Sequence, residues 1–397
     1  MNGILRSLWR VSIATGLIVI AVISSAHAER VDYEALAEKL VVRCANIQEG
    51  DLVLVNGGVR DFELLENIAV NVRKLGAFPL VTVGSDRMTK QMYDEVPPKY
   101  DSQEPMFDLH LIKTINATIN VASSESIGFL EHVPAGRLAA VGEAYKPLGD
   151  IALKRNIKSV YLGNGLYPIS DRAGMYEVSL EQLTKTFWDG VNVDYSLLRS
   201  RGESLKTSLQ GGKEIHITNP NGTDLKVGVE GRQVYVSDGT ITDEDVDTGG
   251  AACQVWLPAG EVFLTPIPGT AEGKVVVNSQ FYQGKEIEGL TLNFENGKLT
   301  SMTAKAGFEP LKEIYDACGS GKDEFAAIDI GMNPNVRTIP GSKMDVWMAT
   351  GMVTVGIGSN LWAGGENNSN FGLFSFLPGS TLKVDGKVLV ENGELKK

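Results

Sequence analysis

Apolar residues recur at helical spacing over Val31–Cys44, where Leu36, Leu40, Val41 and Cys44 fall on one face. They do so again over Asp61–Leu75, through Leu64, Leu65, Ile68, Val72 and Leu75. Short apolar runs at Asp51–Val55, Phe78–Val83, Ala117–Ala122 and Ser159–Leu162 read as strands with helical stretches between them. That alternation predicts a parallel sheet with helices on its faces. Leu180–Leu209, with Trp188, Tyr195 and Leu197, predicts a long connecting helix with one or two breaks. After Gly212 the period drops to two, in Ile215-His216-Ile217, Leu225–Val229, Lys274–Val277, Leu290–Phe294, Val353–Ile357 and Leu382–Val384. Turn pairs such as Asn221-Gly222, Asp238-Gly239, Asn296-Gly297 and Asp385-Gly386 separate these runs. The expected architecture is an α/β domain over 29–203, followed by a mainly antiparallel β domain over 213–397 that holds one short helix, Gly307–Cys318. The change of period places the boundary at Ser204–Gly212.

Residues 1–28 read as a leader. Arg6 and Arg10 precede the apolar run Val11–Ile23, and Ala26-His27-Ala28 offers the small residues that a signal peptidase requires. The run is shorter than the roughly 20 residues a membrane-spanning helix needs, so cleavage before Glu29 and a periplasmic or secreted location are expected. The 397 residues are 43% apolar and 22% charged, the balance of a folded soluble protein. A net charge of −12 repels phosphate backbones and anionic lipid. Nucleic acid and, once the leader is removed, membrane are therefore excluded as partners, leaving peptides, small molecules or cations. Three cysteines allow at most one internal disulfide. Cys253 and Cys318, both in the second half, are the candidate pair, and three free thiols are the alternative.

Signals for a cofactor or a nucleophile are sparse. Asn56-Gly57-Gly58 follows a strand and precedes a helix, where an anion could sit, but it lacks the spacing of a phosphate loop and reads as a turn. No Gly-x-Ser-x-Gly elbow is present, and Ser369 has no neighbouring His to activate it. A longer set of strings is more informative. Gly50–Val55 and Leu75–Leu80 are followed in order by Gly222-Thr223-Asp224-Leu225, Leu257–Pro266, Ile330-Gly331-Met332-Asn333-Pro334, Gly364–Ser369 and Val384-Asp385-Gly386-Lys387. Together they resemble the aminopeptidase T family of two-metal exopeptidases.

The resemblance implies a homodimer in which Glu, His and Asp side chains hold two divalent ions that activate water against the first peptide bond. Glu261 matches the family's first ligand. The second ligand position falls on Ala327, and Glu324 substitutes for it only if that segment is helical, since residues three apart share a helix face but not a strand face. The remaining ligand positions are occupied by Thr354, Gly372 and Phe374, and no catalytic residue can be assigned. Histidine is also missing in principle: His27, His110, His132 and His216 are the only four, and none lies beyond 216. The expectation is a degraded metal centre with no cofactor, binding a peptide or small ligand in the former cleft. The alternative is a hydrolase with a relocated, oxygen-only divalent site drawn from Asp323, Glu324, Asp329, Asp345 and Glu366. Glu261 itself reads either as a remnant of the metal site or as an acceptor at a turn. Trp256, Trp347 and Trp362 read either as core or as a cleft lining.

Overall fold

The computed structural model describes residues 31–396, so the expected leader lies outside the described residues. Strands β1 (Leu52–Gly58), β2 (Phe78–Gly84), β3 (Ala117–Val121), β4 (Lys158–Leu162) and β8 (Gln254–Leu257) form a parallel sheet in the order β2-β1-β3-β4-β8. The chain leaves β1 to build β2 on one side and then returns to build β3 on the other. β1 is therefore the point where the winding reverses.

One face of this sheet is apolar and buried, through Val53, Val55, Ile119, Val160 and Leu162. The helices on the chain's first turns are α1 (Tyr33–Glu38), which runs on into a π-helical turn over Lys39–Cys44, and α2 (Phe62–Lys74), which packs on β1 and β2. The i, i+3, i+4 spacing read from Asp61–Leu75 puts Leu64, Leu65, Ile68 and Val72 on the buried side of α2. Helices α3 (Asp86–Glu95) and α4 (Met106–Leu111) bury none of their residues. The opposite sheet face is polar: Thr82, Asn56, Asn120 and Tyr161 lie side by side across it, with Thr118, Ser159 and Gln254 one step below. Helix α5 (Ala135–Lys154) crosses this side and packs on α10 (Glu309–Ala317).

After α6 (Ser170–Met175), the expected long helix breaks once into α7 (Leu180–Val191) and α8 (Tyr195–Gln210), where the Asp194 carboxylate accepts the amide of Ser196 and caps α8. The expected boundary falls at the end of α8. The first sheet nevertheless takes its outer strand, β8, from beyond that boundary, so residues 29–203 do not complete it.

The rest of the chain builds two antiparallel sheets and two short helices, α9 (Asp243–Thr248) and α10, the latter at the expected Gly307–Cys318. The larger sheet contains β5 (Glu214–Asn219), β6 (Thr223–Gly228), β10 (Glu272–Tyr282), β11 (Lys285–Glu295), β12 (Lys298–Thr303), β16 (Thr381–Val384), β17 (Lys387–Glu391) and β18 (Glu394–Leu395). The smaller one runs β15 (Gly372–Phe376), β14 (Val353–Gly358), β13 (Phe325–Gly331), β9 (Glu261–Leu264), β7 (Val234–Ser237). Every residue of β9, β13 and β14 is buried, because α8 covers one face and the region of β8 covers the other. No helix among the described residues is long and apolar enough to cross a membrane.

Candidate functional site

The smaller sheet carries the residues singled out in the sequence, and strand parity decides which of them meet. Residues paired across strands share a face. Ser237 pairs with Glu261, and Glu261 with Gly331; Tyr235 pairs with Phe263, Phe263 with Asp329, and Asp329 with Thr354. One face therefore carries Ser237, Glu261, Asp329 and Thr354 together, with the two carboxylates on a diagonal. Asn164, from the loop after β4, donates its Nδ2 to the Pro258 carbonyl at 3.1 Å and to Glu261 Oε1 at 2.6 Å.

All four side chains on this face are buried, at 1% exposure for Ser237, 3% for Glu261, 2% for Asp329 and 0% for Thr354. Ser237 Oγ, both Asp329 carboxylate oxygens and Thr354 Oγ1 have no hydrogen-bond partner. Burial pushes the Glu261 carboxyl up to about 8, opposed in part by the Asn164 hydrogen bond. Burial raises Asp329 well above the usual carboxylate range, and the neighbouring Glu261 charge raises it further. Two carboxyls this close, without a cation between them, hold protons at neutral pH.

Around them the face is filled by rings. Phe263 stacks on Tyr235 with centroids 5.5 Å apart and meets Trp256 and Trp362 at 5.6 and 5.3 Å. Trp347 touches Phe374 at 4.8 Å, Phe376 at 5.4 Å and Trp362 at 6.2 Å, and Trp362 meets Phe374 at 5.5 Å. The three tryptophans thus join one aromatic core. Phe374 lies directly over Gly356, where an added Cβ would come within 2.4 Å of the ring. At Gly331 an added Cβ would come within 2.2 Å of the Ala349 carbonyl, so only glycine lets the 347–349 segment close over the end of β13 beside Glu261.

The other sequence candidates lie elsewhere. Glu324 does not join Glu261: β13 begins at Phe325, so the segment is extended and not helical, and the Glu324 side chain instead pairs with Lys298 at 3.0 Å on the surface. Gly372 is exposed on the edge strand β15. Asp323 bonds to the Tyr315 hydroxyl, Glu366 is exposed, and Asp345 is a separate half-buried carboxyl that burial raises to about 6. Of the five acids proposed for an oxygen-only site, only Asp329 stands beside Glu261. The proposed disulfide is absent. All three cysteines are free thiols, with Cys253 Sγ 3.6 Å from the Asp245 carbonyl and Cys318 Sγ 3.7 Å from that of Asn370. Asn333, in the Gly-Met-Asn-Pro string, donates to the Gly190 and Ala259 carbonyls at 3.1 and 2.6 Å and ties β13 to α7 and to the turn before β9.

Sequence reasoning passed over Ser237 and Asn164 and gave Asp329 no special place. The signal for Asp329 was an acid between two isoleucines in an all-apolar strand, two residues beyond the family's ligand position and hence on the same face. The donors at this face are two carboxylates and two hydroxyls. Histidine is not among them: His132 and His216 pair with Asp94 and Asp224 at 2.8 and 2.7 Å, and His110 lies on α4. No three His, Cys, Asp or Glu side chains among the described residues cluster as metal ligands. This set does not fit a two-metal hydrolytic centre, since it offers no nitrogen donor and only two carboxylates for two cations.

Over residues 30–320 the chain matches the model of a protein family described as thermophilic metalloproteases (M29). It is 25% identical over 297 residues to aminopeptidase AmpS of Bacillus subtilis (strain 168), a stretch covering 68% of this chain and 70% of that protein. To aminopeptidase PepS of Streptococcus thermophilus it is 24% identical over 307 residues, 71% of this chain and 72% of that one. The structure of wild-type AmpT from Thermus thermophilus shares the fold with a TM-score of 0.71 over 92% of this chain and 99% of that one, at 18% identity. A 2,5-dihydroxypyridine dioxygenase from Pseudomonas putida KT2440 shares it with a TM-score of 0.59 over 92% and 96%, at 14% identity. A fold that also houses a dioxygenase does not by itself fix a reaction. The family model spans well over half of the residues, and the chain belongs to the thermophilic metalloprotease (M29) family.

Proposed function

We propose that this protein is an exported, non-hydrolytic member of its family, a homodimer that binds a peptide or small ligand beside the former metal face. The observation that carries the reading is Phe374 lying over Gly356 and against Trp347 and Trp362, in the place where the resemblance puts an acidic ligand. Without a metal pair to lower the pKa of water and polarise the amide, hydrolysis faces a barrier that enzymes typically lower by about 8–23 kcal/mol. A cavity of about 600 Å³ opens next to the rings, lined by Trp362, Asn370, Gly372 and Gln254 on one side and by Tyr145 and Lys146 of α5 on the other. Its size and mixed lining suit a short peptide or a similar ligand. Self-association is supported by the apolar side chains that the edge strand β2 and helices α3 and α4 leave exposed, among them Phe78, Met92 and Phe107.

The test is to assay the purified mature protein on aminoacyl amides with added Zn, Co, Mn and Mg, alongside Glu261→Ala, and to determine its metal content. No metal-dependent turnover is expected. Turnover abolished by Glu261→Ala overturns the reading. Edman sequencing of exported protein should begin at Glu29, and light scattering should give twice the monomer mass. One observation favours a second reading, a single oxygen-ligated cation: the unpartnered oxygens of Ser237, Asp329 and Thr354 surround Glu261. A rise in melting temperature with Mg, Ca or Mn that Asp329→Asn abolishes would select it.

A further inference from the structure

The Asn56-Gly57-Gly58 turn, set aside as an ordinary turn in the sequence, borders a second cavity of about 560 Å³ at the carboxyl ends of β1, β2, β3 and β4. This is the end of the sheet at which β1 reverses the winding, where parallel sheets leave a crevice for ligands. It shares no lining residue with the cavity beside the aromatic core. Its floor is a run of side-chain hydrogen bonds across the strands. On this floor Thr82 donates to Asn56 and Asn56 to Asn120 at 2.8 Å, and the run continues beyond the cavity, with Asn120 donating to Thr118 and Thr118 to Ser159 at 3.2 Å each. That ladder fixes the amides and keeps the polar floor rigid.

The walls offer polar groups with donor or acceptor capacity left open among the described residues. Arg172 donates Nη1 to the Tyr167 carbonyl at 2.6 Å, and among the described residues its Nε and Nη2 have no hydrogen-bond partner and no carboxylate forms an ion pair with it. The hydroxyls of Tyr161, Ser123 and Ser124 have no protein partner among the described residues either. The rim is held in place from outside. Asp86 accepts the amides of Glu125 and Ser126 at 2.9 Å each, Asp171 accepts that of Ile127 at 3.1 Å, and Arg60 donates to the carbonyls of Ala122 and Ser124 at 2.7 and 3.1 Å. In a chain with 49 acidic residues, no Asp or Glu among the described residues lines this cavity, and the one ionic group among them that does is a guanidinium.

We propose that this cavity is a binding site for a small carboxylate bearing hydroxyl or amide groups, with Arg172 taking the carboxylate and Tyr161, Ser123, Ser124 and the Asn56–Asn120 ladder taking the polar substituents. The free Nε and Nη2 edge of a guanidinium matches a carboxylate in two parallel hydrogen bonds. A phosphate of charge near −2 would meet only one cation here. The same chemistry is presented by a sugar acid and by an amino acid or dipeptide.

The experiment is titration calorimetry of the mature protein with D-glucuronate, L-glutamine and L-alanyl-L-alanine, with inorganic phosphate as the contrast. At least one of the three carboxylates should bind saturably. Arg172→Gln should weaken it by about 10-fold or more, as expected for loss of a charged hydrogen-bonded pair, and Tyr161→Phe by a smaller factor. Thermal melts identify variants that remain folded, and the amide or methyl ester of the bound compound should bind as weakly as Arg172→Gln does, which tests the carboxylate without any substitution. Glucuronate binding names the sugar acid as the source, and glutamine or dipeptide binding the amino acid. No binding of the three at millimolar concentration, equal binding by a folded Arg172→Gln protein, or tighter binding of phosphate would each overturn the proposal.

Discussion

Glu261→Gln isolates what the buried carboxyl pair does to stability. Glutamine keeps the shape and keeps an oxygen for the Asn164 amide, but it cannot ionise. In the wild-type protein the Glu261 carboxyl is raised from 4.5 to about 8, so between those values the native state binds a proton that the unfolded chain has lost. The sign follows directly. Stability contributed by the neutral carboxyl is complete below pH 4.5, declines above it, and is lost once the pH has risen through about 8. At about 1.36 kcal/mol per pH unit the ceiling on that loss is about 5 kcal/mol, and relaxation around the pair reduces it, so a change of about 2–4 kcal/mol is expected. Urea denaturation at a series of pH values from 5 to 8.5 measures it. Wild type should weaken across the series, Glu261→Gln should weaken less, and at pH 8 the variant should be the more stable protein. Adding Asp329→Asn should flatten the profile further, since that carboxyl is raised by the same burial and by its neighbour's charge. A Glu261→Gln profile parallel to wild type, or a variant less stable than wild type at pH 8, would refute the account of this face as a neutral, cation-free pair.

Phe263→Ala removes the most buried ring of the aromatic core and should cost about 3–5 kcal/mol in the same assay; a loss under about 1 kcal/mol would mean that the rings are loosely packed. Cys44, Cys253 and Cys318 are all buried and their thiols raised by burial, so a thiol reagent should modify none of them in the native protein and all three in denaturant without reductant; fewer than three would restore the disulfide. Glu324→Ala should change stability by less than about 1 kcal/mol, because its partner Lys298 is an exposed lysine; a larger loss would give Glu324 a role beyond that pair.

The parallel sheet was legible because each of its first four strands is an apolar run followed by an amphipathic stretch, and those local periods survive folding. β8 was not: Gln254-Val255-Trp256-Leu257 is too short to carry a period, and its place beside β4 depends on contacts more than ninety residues apart in the chain. The site divides in the same way. Glu261, Thr354 and Phe374, the positions that the resemblance aligns with ligands, could be named from strings alone. The meeting of Asp329 with Glu261 required knowing that β13 is extended and paired with β9 in one particular register, since a shift of one residue would turn Asp329 toward α8. Asn164 comes from the other sheet entirely, and nothing in its flanking sequence marks it as a partner for Glu261. The cysteines show the limit of counting: three in a chain expected to be exported invited a bridge, yet each sits against a carbonyl or hydroxyl in a separate part of the core.

The ring of Phe374 above Gly356 also bears on how sequences can travel to and from this state. An aspartate placed at 374 in this background would set a charge among the rings of Trp347 and Trp362 and leave a hole over a glycine that has no side chain to fill it. A histidine at 354 would have to enter a strand whose every residue is already enclosed. Each such substitution is costly taken singly, so sequences that introduce ligands here one at a time pass through proteins less stable than this one. The packing acts as a ratchet, and substitutions around the closed face are accommodated more easily than ligands set into it.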